Sequence, residues 1–218
     1  MTETQKSPAE AALILSQWLS SGYPTGAFAW SHGLENAVAE GAVTDAAAFR
    51  AFAADCLEHG AGRSDAILLA HAWRDPADDA PAELAEALAP SKERRAETLA
   101  LGAAFAAATA ASWGPRDLSP APYPVAFGRA ARAHGIPLEL ALPAYLQAFA
   151  ATLASAAQRL VPLGHTEAQQ ALAALAPVAL RVAAAAEGAP LDAVGGAAFA
   201  ADIAAMRHEV QQPRLFRS

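Results

Sequence analysis

Cysteine, strand-forming alternation, basic charge and long apolar runs are all scarce in this chain of 218 residues, and each scarcity excludes something. Cys56 is alone, so an internal disulfide or a thiolate zinc framework is ruled out. Lys and Arg number 15 against 22 Asp and Glu, a net charge of -7. The dense basic face that neutralises nucleic-acid phosphates is therefore not expected. Charges or strong turn formers interrupt every apolar stretch before it reaches the about 18 residues of a membrane span. The opening MTETQKSPAE has both charge signs and no apolar centre, unlike a secretion signal, so a cytoplasmic protein is expected. No β-branched run alternates with polar residues, no unit repeats, and no GxxxxGK phosphate loop occurs, which argues against nucleotide binding.

What the chain does have is alanine and helix punctuation. Hydrophobic residues make up 54% of it. Much of this is alanine, which favours helix and close packing. Ser7, Pro8 and Glu10 read as N-cap, first-turn proline and capping-box glutamate, with Ala11, Ile14, Leu15 and Trp18 forming the buried stripe behind them. Helices are also expected from Thr44 to Gly60, after a Ser64 cap up to Asp75-Pro76, within the acidic segment that follows, and from Ser91 to about Ser112. WGPRDLSPAPYP reads as a rigid proline connector. Val125 to His134 predicts a short helix. Pro137 and Pro143 each suit a helix start, leaving a single turn between them, and Leu142 to Leu160 predicts the central helix. Thr166 and Gln169 suggest a further capping box, Pro177 a kink or stop, and Ala197 to Glu209 a last helix. The expected architecture is all-α: one domain over residues 1–218, a bundle of roughly eight to ten helices, with 1–7 and 210–218 as flexible termini.

Catalytic patterns are thin. The six histidines offer no i, i+3 or i, i+4 pair, and Cys56 falls on an apolar helix face where a neutral thiol is the default. Asp75, Asp78 and Asp79 in DPADD suggest one rival reading, a magnesium-dependent all-α enzyme acting on a diphosphate. A second carboxylate cluster to complete such a site is lacking. Two segments look made for partners instead. The loop Ser20 to Gly33 sets Tyr23, Phe28, Trp30 and His32 among glycines, and the tail ends in Arg214, Leu215, Phe216, Arg217 and Ser218. Aromatic and arginine side chains outside helices either plug a core or anchor a partner. Pro213 should part the tail from the last helix and leave it mobile until a partner binds.

The same segments carry a family resemblance. LSSGYPTGAFAWSHGLENAVAEG, PYPVAFGRAARAHGI, AYLQAF, AAQRLVPLGHTEAQQ and DIAAMRHEVQQPRLFRS resemble, in order, the motifs of the UreF family of urease accessory proteins. Trp30 stands where a tyrosine is usual, His165 replaces a glutamine, and Gln212-Pro213 replaces a Tyr-Ser-like pair. The resemblance implies a non-catalytic, cofactor-free, often dimeric all-α protein. It also implies binding to the scaffold UreD (UreH in some organisms) and the GTPase UreG, and promotion of nickel insertion into apo-urease.

Overall fold

The computed structural model describes residues 5–114 and 118–218. Among these residues there are ten α-helices, two 3-10 turns and no strand, so the all-α expectation holds. The helices are α1 Pro8–Trp18, α2 Leu34–Ala39, α3 Ala46–Glu58, α4 Ala61–Arg74 and α5 Ala80–Ala87, then α6 Lys92–Trp113, α7 Tyr123–Ala133, α8 Leu138–Leu160, α9 His165–Glu187 and α10 Phe199–His208. The 3-10 turns are Ala27–Ala29 and Leu191–Ala193.

The start signals work as their chemistry requires. Ser7 and Glu10 form the reciprocal capping box of α1, Asp45 caps α3 through Ala48 N–H, and Ser91 caps α6 through Arg94 N–H. Three expectations need correction. The cap of α4 is Gly60, not Ser64, and Ser64 lies inside the helix. The cap of α9 is Gly164, whose N–H donates to Glu167 Oε2 at 2.9 Å, two residues before the predicted box. Pro143 and Pro177 both sit inside unbroken helices. Pro143 lies early in α8, and Pro177 lies on the exposed side of α9 next to exposed Ala173 and Ala174, where water can serve the freed carbonyl. The proline connector falls partly on residues 115–117, outside the described residues.

α8 runs through the middle, packed on α9, with α4 against α7, α6 against α7 and α3 against α9. Trp18, Phe105, Phe127 and Tyr145 interlock edge-on at centroid distances of 5.3 to 5.7 Å, which fixes α1, α6, α7 and α8 around one aromatic centre. By length and apolarity alone α8 and α9 could cross a bilayer. Here the two pack on each other and on the rest of the bundle, although α9 leaves Leu180 exposed.

Cys56 is buried and its thiol is pushed up to about 12, chiefly by burial, so it is inert core. DPADD is a solvent-facing turn. Asp75 and Asp78 accept from the N–H groups of Ala77 and Ala80, and Asp79 pairs with Arg129 at 2.8 Å. These carboxylates serve turn and ion-pair geometry.

Candidate functional site

The loop and the tail, 180 or so residues apart in sequence, meet side by side. Left-handed backbone at Gly26, His32 and Gly33 folds the loop back on itself. At Gly33 a side chain would meet Ala205 N at 2.6 Å, so only glycine lets the start of α2 rest directly on α10. Along the inner edge of the loop the backbone pairs with the tail. Arg217 N–H donates to Ala29 O at 2.8 Å, and Ser31 N–H donates to Ser218 O at 2.8 Å, with the Ser31 hydroxyl donating to the same carbonyl.

Glu35, at the start of α2, clamps the tail. One carboxylate oxygen accepts from Leu215 N–H at 2.6 Å, the other from Phe216 N–H at 2.8 Å, and the second also faces His208 Nε2 at 3.0 Å. His208 Nδ1 lies 2.7 Å from Glu93 Oε2, and the other Glu93 oxygen receives Arg214 at 2.5 Å. Phe216 is 4% exposed, with the Arg159 guanidinium 4.3 Å above its ring; Arg159 also donates to Phe28 O at 3.1 Å. Burial of Phe216 contributes about 1.5 to 3 kcal/mol.

In this structure the tail, expected from sequence as a flexible segment 210–218, is seated on its own domain. Pro213 does part it from α10, but a carboxylate on a distant helix takes up the freed N–H groups. Of the expected flexible residues 1–7, those numbered 1–4 lie outside the described residues. Lys6 N–H bonds Gly135 O, and Ser7 caps α1.

The nine residues singled out from sequence are brought to this one region, but with different exposures. Tyr23, Trp30, His32, Phe216 and Ser218 point inward. Tyr23 shares a 2.9 Å hydrogen bond with Thr109, and Arg217 lies over Trp30. Phe28, Arg214, Leu215 and Arg217 face outward, Phe28 at 68% and Leu215 at 56% exposure. Behind the loop is an ionic cluster that sequence reasoning missed. Glu97 on α6 is reached by Arg94, by His32 Nε2 at 3.1 Å and by the Ser218 hydroxyl at 3.1 Å. Burial works against the Glu97 charge, yet Arg94 and His32 hold the carboxyl down at about 2. His32 is pushed below its ordinary value by burial and by Arg94. The available signal was Arg94 and Glu97 at i, i+3 beneath an apolar helix face.

Burial alone would raise Glu35, but the His208 contact and the two tail amides outweigh it and hold its carboxyl below the usual range. A depressed carboxyl stabilises the fold above its unfolded value of 4.5, and that contribution is lost as pH falls through the lower folded value. In an NMR titration, the Leu215 and Phe216 amide shifts should therefore move together with Glu35 only below the ordinary carboxylate range. Amides that stay still throughout the acid limb would disprove the clamp.

A ridge of apolar side chains lies outward on α10 and just beyond it: Phe199, Ile203, Met206 and Val210, at helical spacing and all exposed. Among the described residues no group of three or more His, Cys, Asp or Glu could hold a metal ion.

The chain matches the UreF family model over residues 43–176. It is 58% identical over 208 residues to a urease accessory protein UreF of Cereibacter sphaeroides (strain KD131 / KCTC 12085), covering 95% of this chain and 99% of the relative. The UreF of Roseobacter denitrificans is 50% identical over 96% of this chain and 95% of its own length. For Methylobacterium sp. (strain 4-46) the figures are 48%, 95% and 88%. With a family match over more than half of its length and relatives this similar from end to end, the chain belongs to the UreF family of urease accessory proteins, a non-catalytic family.

Proposed function

We propose that this chain is a cytoplasmic assembly factor for urease that binds the scaffold UreD/UreH and the GTPase UreG and promotes nickel insertion into apo-urease. One observation supports a docking role above the others. The α10 ridge leaves Phe199, Ile203, Met206 and Val210 exposed, and the tail that follows it in the chain adds exposed Leu215 between exposed Arg214 and Arg217. Apolar anchors beside forked guanidinium groups are the usual composition of an interface hot spot. The ridge is the scaffold-facing surface in this reading. The buried members of the set, Tyr23, Trp30, His32, Phe216 and Ser218, hold the loop and tail in place, and Phe28 is the exposed aromatic of the loop. A second copy of the chain competes for the same face, since the family is often dimeric.

The reading is checked with Ile203→Asp and with the pair Phe28→Ala, Leu215→Ala, each measured by calorimetry against purified scaffold protein. Affinity should fall by at least about 2 kcal/mol, the hot-spot scale, while the melting temperature changes little, because about half or more of each side chain is already in water. Phe216→Ala should do the reverse and lower the melting temperature first. Unchanged scaffold affinity in both exposed variants would sink the assignment. A shift from dimer to monomer with scaffold affinity retained would give the face to self-association.

A further inference from the structure

Beneath the loop lies a cavity of about 410 Å³, within the range of small-molecule sites. Its walls include Tyr23, Phe28, Tyr123, Tyr145 and Phe149, and Asp65 of α4 stands among its lining residues. We propose that this cavity binds a small organic monocation, an ammonium head on an apolar body, with the head at Asp65 and His32 and the body between the aromatic rings. The inference goes beyond the partner-binding reading and does not depend on it.

Charge matching is the first argument. The charged groups that act on Asp65 are Arg94 and Glu97, the latter also met by His32, with the Tyr145 hydroxyl donating to Asp65 Oδ2 at 2.8 Å. Arg94 is committed to Glu97. With His32 neutral, two carboxylates face one guanidinium, and one negative charge is unmatched. Burial, opposed only in part by Arg94 and the Tyr145 hydrogen bond, lifts the Asp65 carboxyl to about 6. A cation beside it would supply the missing partner.

Hydrogen-bond direction is the second. His32 is nine-tenths buried and also lines the cavity. Its Nε2 is nearer to the Glu97 carboxylate, 3.1 Å, than to Arg94, 3.4 Å, which places the ring proton on Nε2. Nδ1 is then a bare acceptor, and it is buried with no hydrogen-bond partner. A buried acceptor of this kind, on a residue that lines the same cavity as Asp65, calls for a donor, and ammonium supplies three. The aromatic walls add cation–π attraction and take the apolar body. A metal ion fits worse, because no three ligating side chains converge here among the described residues.

The experiment is calorimetric titration of the full chain with phenethylammonium chloride at pH 7, beside the neutral isostere 2-phenylethanol. Saturable one-site binding is expected for the amine, at least about tenfold tighter than for the alcohol, the margin a desolvated cation contact provides. Asp65→Asn should weaken amine binding by a similar factor. Ser155→Trp, at an exposed lining position, should block binding with the melting temperature unchanged and so serves if Asp65→Asn fails to fold. At pH 6, binding should release protons, read as a dependence of the heat on buffer ionisation enthalpy, because the cation drives Asp65 to its charged form. No saturable binding, equal affinity for amine and alcohol, or full affinity in both variants would overturn the proposal.

Discussion

Replacing Arg94 by methionine should lower stability by about 3 to 5 kcal/mol, the cost of leaving a buried carboxylate without its partner. Arg94 and Glu97 are both almost fully buried on α6, and Glu97 draws its low carboxyl value of about 2 from Arg94 and His32 despite burial. With Arg94 gone, only His32 and the Ser218 hydroxyl still reach Glu97, and neither carries a fixed charge. The melting temperature should drop by roughly 6 to 20 °C for a domain of this size. The damage belongs to the orphaned charge, so removing that charge as well should repair it. The double variant Arg94→Met, Glu97→Leu should recover most of the loss, since a buried ion pair exchanged for packed apolar residues is often neutral. Thermal denaturation of the two single variants and the double variant decides the matter. A double variant as unstable as the sum of the singles would show that Glu97 acts independently of Arg94.

The second large effect is expected at Gly102, where the usual rule reverses sign. Inside an ordinary helix, glycine to alanine stabilises by about 0.5 to 1 kcal/mol, because glycine loses more backbone freedom on folding. On α6, a methyl group at this position would meet Ala121 O at 1.8 Å, with Ala121 C and Pro122 C at 3.0 Å. All three are backbone atoms just ahead of α7, and no side-chain rotation can relieve the contact. Gly102→Ala should cost about 3 kcal/mol or more, the upper range of overpacking. A control on the same helix is exposed Ala107, where the reverse change, Ala107→Gly, should cost only about 1 kcal/mol of helix propensity. A Gly102→Ala protein as stable as the parent would mean that α6 and the segment before α7 are not in contact.

The helices were largely legible in the sequence because their signals are local. Ser7 with Glu10, and Ser91 ahead of α6, act within one turn, and the stripes at Ile14, Trp18 and Leu146, Leu153 depend only on helical period. Prolines were over-read. Pro143 and Pro177 each remove one donor, and whether a helix breaks there depends on what serves the freed carbonyl, which is a tertiary fact. The loop and tail were legible as unusual segments but not as one structure. Glu35 looks like an ordinary first-turn acid, and nothing near it in the chain says that it will accept the amides of Leu215 and Phe216. The ionic cluster was hidden for the same reason, since nothing local to Arg94 and Glu97 says that their part of α6 will be buried. Asp65 became interesting only once Tyr145 and His32 arrived from other elements. The α10 ridge was readable as apolar, but a helix with one apolar stripe is assumed to bury it, and this one turns it outward.

The contact at Gly33 ties these parts together mechanically. Because the start of α2 rests on the backbone of α10, and Glu35 two residues on holds both His208 and the tail amides, no piece can separate without disturbing the others. Loop, tail and α10 thus form one cooperative opening unit, and a pull on the end of the chain is felt at the aromatic loop. Native-state hydrogen exchange would show this as a single opening free energy shared by the amides of Ser31, Ala205 and Phe216, whereas independent segments would give three.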